Sequence, residues 1–598
     1  MKQSEFTTNP KVSASLCAML GEANKNPGKP PVLHFRAVGG GNPGSQDPTV
    51  SLLVETQTGD QQLSDLSSGH CQRLSDQFVS LDLPMSKVEQ LIQEPHVERI
   101  QTKRKHKLVM EQALEHANGI SAGERDFFES GSGVYIGIVD SGFDLSHPAF
   151  YDRNGRLRVD FLLDQVGGKQ EFDRDELEQK WTLGQGNFGP GFDSNGHGTH
   201  VAAIAGGTLF GTGGWEGVAP DARFLLVKTN MFDVDEGVKW IFEKAGRSPC
   251  VVNLSLGSHY GPHDGTNAEE RLYNQLSGDN QIIVVAAGNE QEKDLHVGSW
   301  YFPEQSNDYV FDVLPGNDNT DPGVVVTGWY SERDQFDLFL GTPAGQFIPF
   351  PSQGDPGRKY SNNVVSIDVS RTYYQWSQLI QCRLELSFDR ATVSIDDLYG
   401  WTLRTSSKQL TAGRFDAWFH NSDFARFRQH PHLEKYRTVG IPGTGSGTIT
   451  VASFTSKTQW TGDQGFAEDA LSLAGRLSRF SSLGPTRDGR WKPDIAAPGH
   501  MITSALADGS RLSKAIERTL VNQRAVTIEG TSMAAPFVSG VIALMLQKAT
   551  ASGKNLNPVE VKDLLAKSAT KDWFTGREAW TPEFGRGKVN IPEVLSLI

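Results

Sequence analysis

Four side chains, far apart in this 598-residue sequence, have the chemistry to break an acyl bond together. Ser532 lies in Gly530-Thr531-Ser532-Met533-Ala534-Ala535-Pro536, at the mouth of the apolar run Phe537-Val538-Ser539-Gly540-Val541-Ile542-Ala543-Leu544-Met545. A hydroxyl at a helix start faces backbone N–H groups and the positive end of the dipole, which favour a developing anion. The same place suits an ordinary N-cap serine, and the heptapeptide alone leaves both readings open. His197 stands in Asn195-Gly196-His197-Gly198-Thr199-His200-Val201-Ala202, which opens a second helix. Asp140 ends the apolar strand Val134-Tyr135-Ile136-Gly137-Ile138-Val139, and Asn289 follows the strand Ile282–Ala287. A serine hydroxyl is a weak nucleophile until an imidazole takes its proton, and a carboxylate can hold that imidazole in one tautomer. An amide beside the nucleophile can hold the oxyanion. His200 lacks the Glu of a His-Glu-x-x-His zinc motif and reads as a packing residue. Asp144 and Asp193 read as solvated loop residues ahead of the alternative, secondary polar supports of the site.

The elements that must carry these groups are legible as texture. Continuous apolar strands (134–139, 224–227, 250–256, 282–287) alternate with helices (234–244, 272–276), as in a parallel sheet covered on both faces. Strand ends and helix starts are where such a sheet gathers reactive groups. Pro536 reads as a first-turn residue, where a missing N–H is harmless. From about Trp300 to Arg437 the period changes to two, as in Phe336/Leu338/Leu340, Val365/Ile367/Val369 and Cys382/Leu384/Leu386/Phe388. Gly- and Pro-rich turns divide these stretches, so an all-β sandwich or jelly roll is expected. Residues 49–108 read as a small α+β unit: a strand through Val50, Leu52 and Val54, a helix from Leu63 to about Phe78, a strand at 78–83, a helix after Pro84 and a strand at 97–100. The basic run Lys103-Arg104-Lys105-His106-Lys107 follows. The leader 1–48 is polar and rich in Pro and Gly, and its Gly39-Gly40-Gly41 lacks the strand–helix context of a phosphate loop.

The chain is too long for one core. Hydrophobic content of 37% and charged content of 21% are ordinary for a soluble protein, and a net charge of −14 argues against nucleic acid or anionic membrane as partner. Four scattered cysteines form no metal spacing and no disulfide scaffold, so a reducing, cytoplasmic location is expected. No signal-peptide core and no long apolar span is recognised, so no membrane segment is expected.

Together the blocks Asp140-Ser141-Gly142, His197-Gly198-Thr199-His200-Val201-Ala202, Ala286-Ala287-Gly288-Asn289 and Gly530-Thr531-Ser532-Met533-Ala534-Ala535-Pro536, in this order, resemble the subtilases, the subtilisin-like serine peptidases. Val252-Asn253-Leu254-Ser255-Leu256-Gly257, Phe480–Pro485 and Lys492–Gly499 resemble further family blocks, and the likeness covers roughly 109–298 and 438–598. It implies a three-layer α/β catalytic domain in two parts (109–298 and 438–598), a propeptide-like inhibitor domain at 49–108 and an inserted β-sandwich at 299–437, as in bacterial Csp-type members. It implies Asp140, His197 and Ser532 as the catalytic set and Asn289 as oxyanion donor. It implies Ser255, Leu256, Gly257, Ala287, Gly288 and Glu290 as the substrate-binding walls; separately, charge pairing with the Glu290 carboxylate next to Asn289 suggests a basic residue before the scissile bond. The expected activity is endopeptidase cleavage of polypeptides through an acyl-enzyme. The expected history is a zymogen, self-cut around His106 to Met110 or activated by a partner. No cofactor or metal is expected: Leu209–Trp215 lacks the Asn/Asp that binds calcium in the best-known members, so that site looks incomplete. The rival reading is an inactive subtilase that binds a protein partner through its β insert.

Overall fold

A computed structural model describes residues 49–598 apart from 57–59, 68–69, 103–106, 109–126, 167, 182–185, 209–215, 316–322, 421–422, 463–464, 515–519 and 523. The leader, most of the basic junction, much of the expected cleavage window and the 209–215 loop therefore lie outside the described residues. Two compact units are present. One takes Met1–Lys105, Ser258–Ala268 and Glu292–Thr438; the other takes His106–Gly257, Glu269–Gln291 and Val439–Ile598.

The second unit is built on an eight-stranded sheet. Its order is Ile495–His500, Thr448–Thr455, Gln281–Ala286, Cys250–Leu254, Tyr135–Asp140, Arg223–Lys228, Val159–Asp164 and Gln170–Asp173. All pairings are parallel except the last, an antiparallel edge. The central strands are buried along nearly their whole length, which is why they read as unbroken apolar runs. The helix Thr531–Ala551 packs into the same core with Ile136, Ile138, Val284 and Val451. By length and composition it is apolar enough to cross a membrane, but 78% of its apolar window is buried in this core.

In the first unit, a four-stranded sheet (Cys71–Arg73, Phe78–Pro84, Thr49–Thr56, Val97–Thr102) packs one face on Leu63, Leu66, Val88, Leu91 and Ile92 of two short helices. The expected helix from Leu63 to about Phe78 is a misreading. The helix is Asp60–Leu66, and Cys71–Arg73 pairs antiparallel with Val79–Leu81. The β insert is a sandwich of a six-stranded and a five-stranded antiparallel sheet, starting at His296, slightly before the texture change at Trp300. Tyr399–Ser407 shows its logic: Trp401, Leu403, Thr405 and Ser407 turn inward and their neighbours do not.

Candidate active site

Asp140 is the last residue of its strand, and His197 is the first of the helix His197–Gly206. His197 Nδ1 lies 2.6 Å from Asp140 Oδ1, with both side chains buried. A carboxylate only accepts, so Nδ1 carries a proton, and in the neutral ring Nε2 has the lone pair. Nε2 is buried without a hydrogen-bond partner. This is the tautomer a general base needs.

The pair is held by a polar hub. Asp193 is buried and accepts from Ser141 Oγ (2.8 Å), Gly196 N (2.8 Å), Thr199 N (3.0 Å) and Thr199 Oγ1 (2.8 Å). Ser141 Oγ also accepts from Gly198 N at 3.1 Å. The helix N-cap, Gly196 at φ +99°, has no side chain to offer, so Asp193 supplies the cap. Burial raises the Asp193 carboxyl above its ordinary range, and these donors oppose that rise. Asp144 is likewise buried: it accepts from Ser146 and from Asp508 N, and its own N–H bonds Thr199 Oγ1. The preferred solvated-loop reading of Asp144 and Asp193 is thus corrected in favour of its alternative, because both are internal supports of the His197 helix. Gly198 matters for closeness, since a Cβ there would sit 2.2 Å from Gly142 O and 3.0 Å from Asp140 Cβ. His200 packs inward with Nε2 3.2 Å from Ile502 O and from Val526 O, and burial pushes it down to about 3.

Ser532 lies in the first turn of Thr531–Ala551, so Pro536 falls inside the helix rather than in its first turn. Its missing N–H would have bonded the carbonyl of Ser532. Ser255 Oγ supplies that bond instead, donating to Ser532 O at 2.8 Å. A relay stands behind it: Ser539 Oγ lies 3.0 Å from Asn253 Oδ1, and Asn253 Nδ2 lies 2.9 Å from Ser255 Oγ. Ser532 Oγ donates to Ser255 O at 3.2 Å. Asn289 Oδ1 accepts from Thr531 N and Thr531 Oγ1, both at 2.9 Å, which orients the amide nitrogen. With the Thr531 N–H taken, the next N–H of the open helix start is that of Ser532. Sequence reasoning missed the roles of Asn253, Ser539 and Thr531. The signal was present, because Asn253 is a polar residue in the middle of a fully buried strand.

Of the expected substrate walls, Leu256–Gly257 is a strand edge, and it is paired antiparallel by Lys107–Leu108, with Leu256 opposite Leu108 and Gly257 opposite Lys107. Ala287 has its N–H on Val451 O and its carbonyl on Gly440 N, and Gly288 bonds Thr531 Oγ1 and Ser482 N. These two residues form wall rather than open edge. Glu290 is buried, and its Oε2 accepts from Ser482 Oγ at 3.1 Å. Among the described residues, one group has metal-ligand types within mutual reach: His296, Asp416 and Glu434 in the insert. Arg414 binds both carboxylates and His296 Nδ1 lies 2.8 Å from Tyr436 O, so the cation there is the guanidinium.

The sequence model of the subtilase family (Peptidase_S8) matches residues 131–381 and 421–587. The chain belongs to the subtilase family. It is 34% identical over 154 residues to serine protease AprX of Bacillus subtilis, covering 26% of this chain and 31% of that protein. It is 30% identical over 198 residues to the subtilisin-like protease PopC of Myxococcus xanthus, covering 29% and 35%. The matches thus span about a third of these relatives. Among solved structures, the Clostridium perfringens CspB protease aligns over 78% of this chain and 94% of its own, at 25% identity and a TM-score of 0.63.

Proposed function

We propose that this chain is a serine endopeptidase acting on polypeptides, made as a zymogen that cuts itself. The observation that carries the reading is the buried Asp140–His197 bond with Nε2 unpartnered, in a chain whose Ser532 stands at an open helix start. In the reaction, Ser532 Oγ turns from Ser255 O and attacks the substrate carbonyl carbon while its proton passes to His197 Nε2. The oxyanion is held by Asn289 Nδ2 and the Ser532 N–H. The C–N bond then breaks, and Nε2 returns the proton to the leaving amine. Water attacks the resulting ester, gives its proton to Nε2, and the acid leaves as Ser532 Oγ recovers that proton. Asp140 keeps its charge throughout and stabilises the imidazolium.

The Lys107–Leu108 pairing supports self-processing, because an extended segment on a strand edge is how a peptide substrate is presented. Ser255 is the strand residue whose carbonyl meets Ser532 Oγ. We infer self-cleavage in the window around His106 to Met110. Intact mass of the wild type beside Ser532→Ala tests this. Loss of the residues up to that window in the wild type alone is expected. An uncut wild type that also fails to label with a fluorophosphonate would overturn the peptidase reading, and an uncut but labelled one would overturn only self-processing.

A further inference from the structure

Phe192 stands one residue before Asp193, the carboxylate that caps the His197 helix, yet 43% of its surface is open. A lone exposed ring is ordinary on a protein surface. This one is fixed in place. Lys228 Nζ lies 3.9 Å from its ring centroid, and Lys228 is buried. Asp164 backs the ammonium at 4.0 Å and also accepts from Gly191 N at 3.1 Å. Asn187 closes the loop: its Nδ2 donates to Asp193 O at 2.7 Å, and its Oδ1 accepts from Asp193 N at 2.9 Å. Gly191, at φ +73°, passes so near the sheet that a Cβ there would sit 2.6 Å from Leu162 Cδ1. One face of the ring is therefore occupied by a cation, and its open surface is held still.

Strand register locates this ring. Lys228 pairs with Asp140 across adjacent parallel strands. A Cβ on Gly237, in the helix Val234–Ala245, would lie 3.0 Å from Val227 and 3.4 Å from Val139, so those two side chains point to that helix. Alternation turns their successors, Asp140 and Lys228, to the opposite face, which carries the His197 helix. Phe192 thus covers the neighbour of Asp140 on one face of the sheet. Strand order adds the substrate's side. The Leu256–Gly257 edge grows out of Cys250–Leu254. Gln281–Ala286, which leads into Ala287–Glu290, flanks that strand on one side; Tyr135–Asp140 and then Arg223–Lys228 flank it on the other. Successive side chains of an extended peptide on the edge point to opposite sides.

We propose that Phe192 is a specificity-determining residue, and that its open ring surface receives a bulky apolar side chain on the second residue before the scissile bond. This rests on the peptidase reading above. With the residue at the scissile bond turned to the Ala287–Gly288 wall, the one before it turns toward Asp140, His197 and Phe192. An aromatic surface that is already fixed takes an apolar side chain at little ordering cost. The charges nearby do not invite a polar one: Lys228 lies under the ring, and Asp140 and Asp193 are buried.

Two fluorogenic peptide amides that differ only at that residue, leucine or alanine, test this. Wild type is expected to favour leucine by about tenfold or more in kcat/KM, the scale on which an apolar pocket discriminates. Phe192→Ala is expected to remove that preference, and Phe192→Tyr, which keeps the ring, to preserve it. A wild type without the preference, or a preference that Phe192→Ala leaves intact, would overturn the assignment. Equal losses on both peptides count as the latter, because they mark Phe192 only as a support of the His197 helix. Should the chain hydrolyse neither peptide, the same pair is read as peptidyl phosphonates, by the rate of Ser532 modification in intact mass with Ser532→Ala as the blank. Modification without a leucine preference would overturn the Phe192 subsite alone. Failure of both phosphonates and of a fluorophosphonate to modify Ser532 would overturn the peptidase reading, and this inference with it.

Discussion

Asn289 Oδ1 is occupied twice by Thr531, through the backbone N–H and the hydroxyl, and this leaves the amide nitrogen as the end for the proposed oxyanion role. Asn289→Ala is expected to lower kcat by about 10²–10³-fold, the loss typical for one oxyanion donor, with a smaller change in KM. Asn289→Asp keeps an acceptor for Thr531 and replaces the donor with an anion, so steady-state kinetics should show a loss at least as large. Equal activity in both variants would remove Asn289 from the reaction. Two other buried histidines each weaken the fold in acid. His147 Nε2 lies 2.9 Å from Arg524 O while Nδ1 accepts from Ala149 N, and burial lowers it to about 4. His200 is lowered to about 3. Both are neutral when folded and bind a proton on unfolding below about 6.5, so the unfolded state holds more protons between that pH and the folded value. The contribution of these two histidines to stability should therefore fall as pH drops from about 6.5 toward 4. His147→Gln should flatten the slope of unfolding free energy against pH by about one proton in that window, measured by urea titration.

At the scale of elements, the Ser532 helix depends on a strand for a bond it cannot make itself. Pro536 removes the donor for Ser532 O, and Ser255 Oγ replaces it across 277 residues of sequence. Ser255→Ala leaves that buried carbonyl short of a partner, at a cost of about 1–3 kcal/mol, and loosens the nucleophile's own turn. A lower urea midpoint together with a lower kcat is expected; a stability loss with unchanged kcat would make the bond purely structural. Gly198→Ala acts at a different junction, where the His197 helix touches the loop after Asp140. Its new Cβ would clash with Gly142 O, and about 1–3 kcal/mol of strain is expected with a drop in kcat, because Asp140 and His197 must part to relieve it. The sequence made the reactive types legible, since each stands at a strand end or helix start. It did not make the supports legible: Ser539, Asn253 and Ser255 form one relay only after distant elements pack. The misread helix after Leu63 has a local cause. Leu63, Leu66, Leu74 and Phe78 keep roughly helical spacing, but pairing of Cys71–Arg73 with the next strand outweighed it.

At the scale of the whole molecule, the apolar residues form separate cores. One gathers around the parallel sheet, one fills the β-sandwich, and a third lies under the N-terminal sheet. The sandwich core holds a stack that crosses its own loops. The rings of His263 and His296 each lie 4.4 Å from the Trp418 ring, at 16° and 9° to its plane, and Trp418 Nε1 donates to Arg437 O at 2.9 Å. All three rings are buried. Separate cores unfold as separate cooperative units when few apolar contacts join them, so a single two-state transition is not expected. Trp418→Ala removes the central plate of the stack and strands its histidine neighbours beside a cavity, a loss of about 3–5 kcal/mol for a residue of this size. Differential scanning calorimetry of the Ser532→Ala chain should therefore show more than one transition. In the Trp418→Ala variant the transition belonging to the sandwich should move down by several degrees or more while that of the parallel-sheet core stays in place. Should every transition shift together, the sandwich and the catalytic core fold as one unit, and the insert would be part of what holds Asp140, His197 and Ser532 in register.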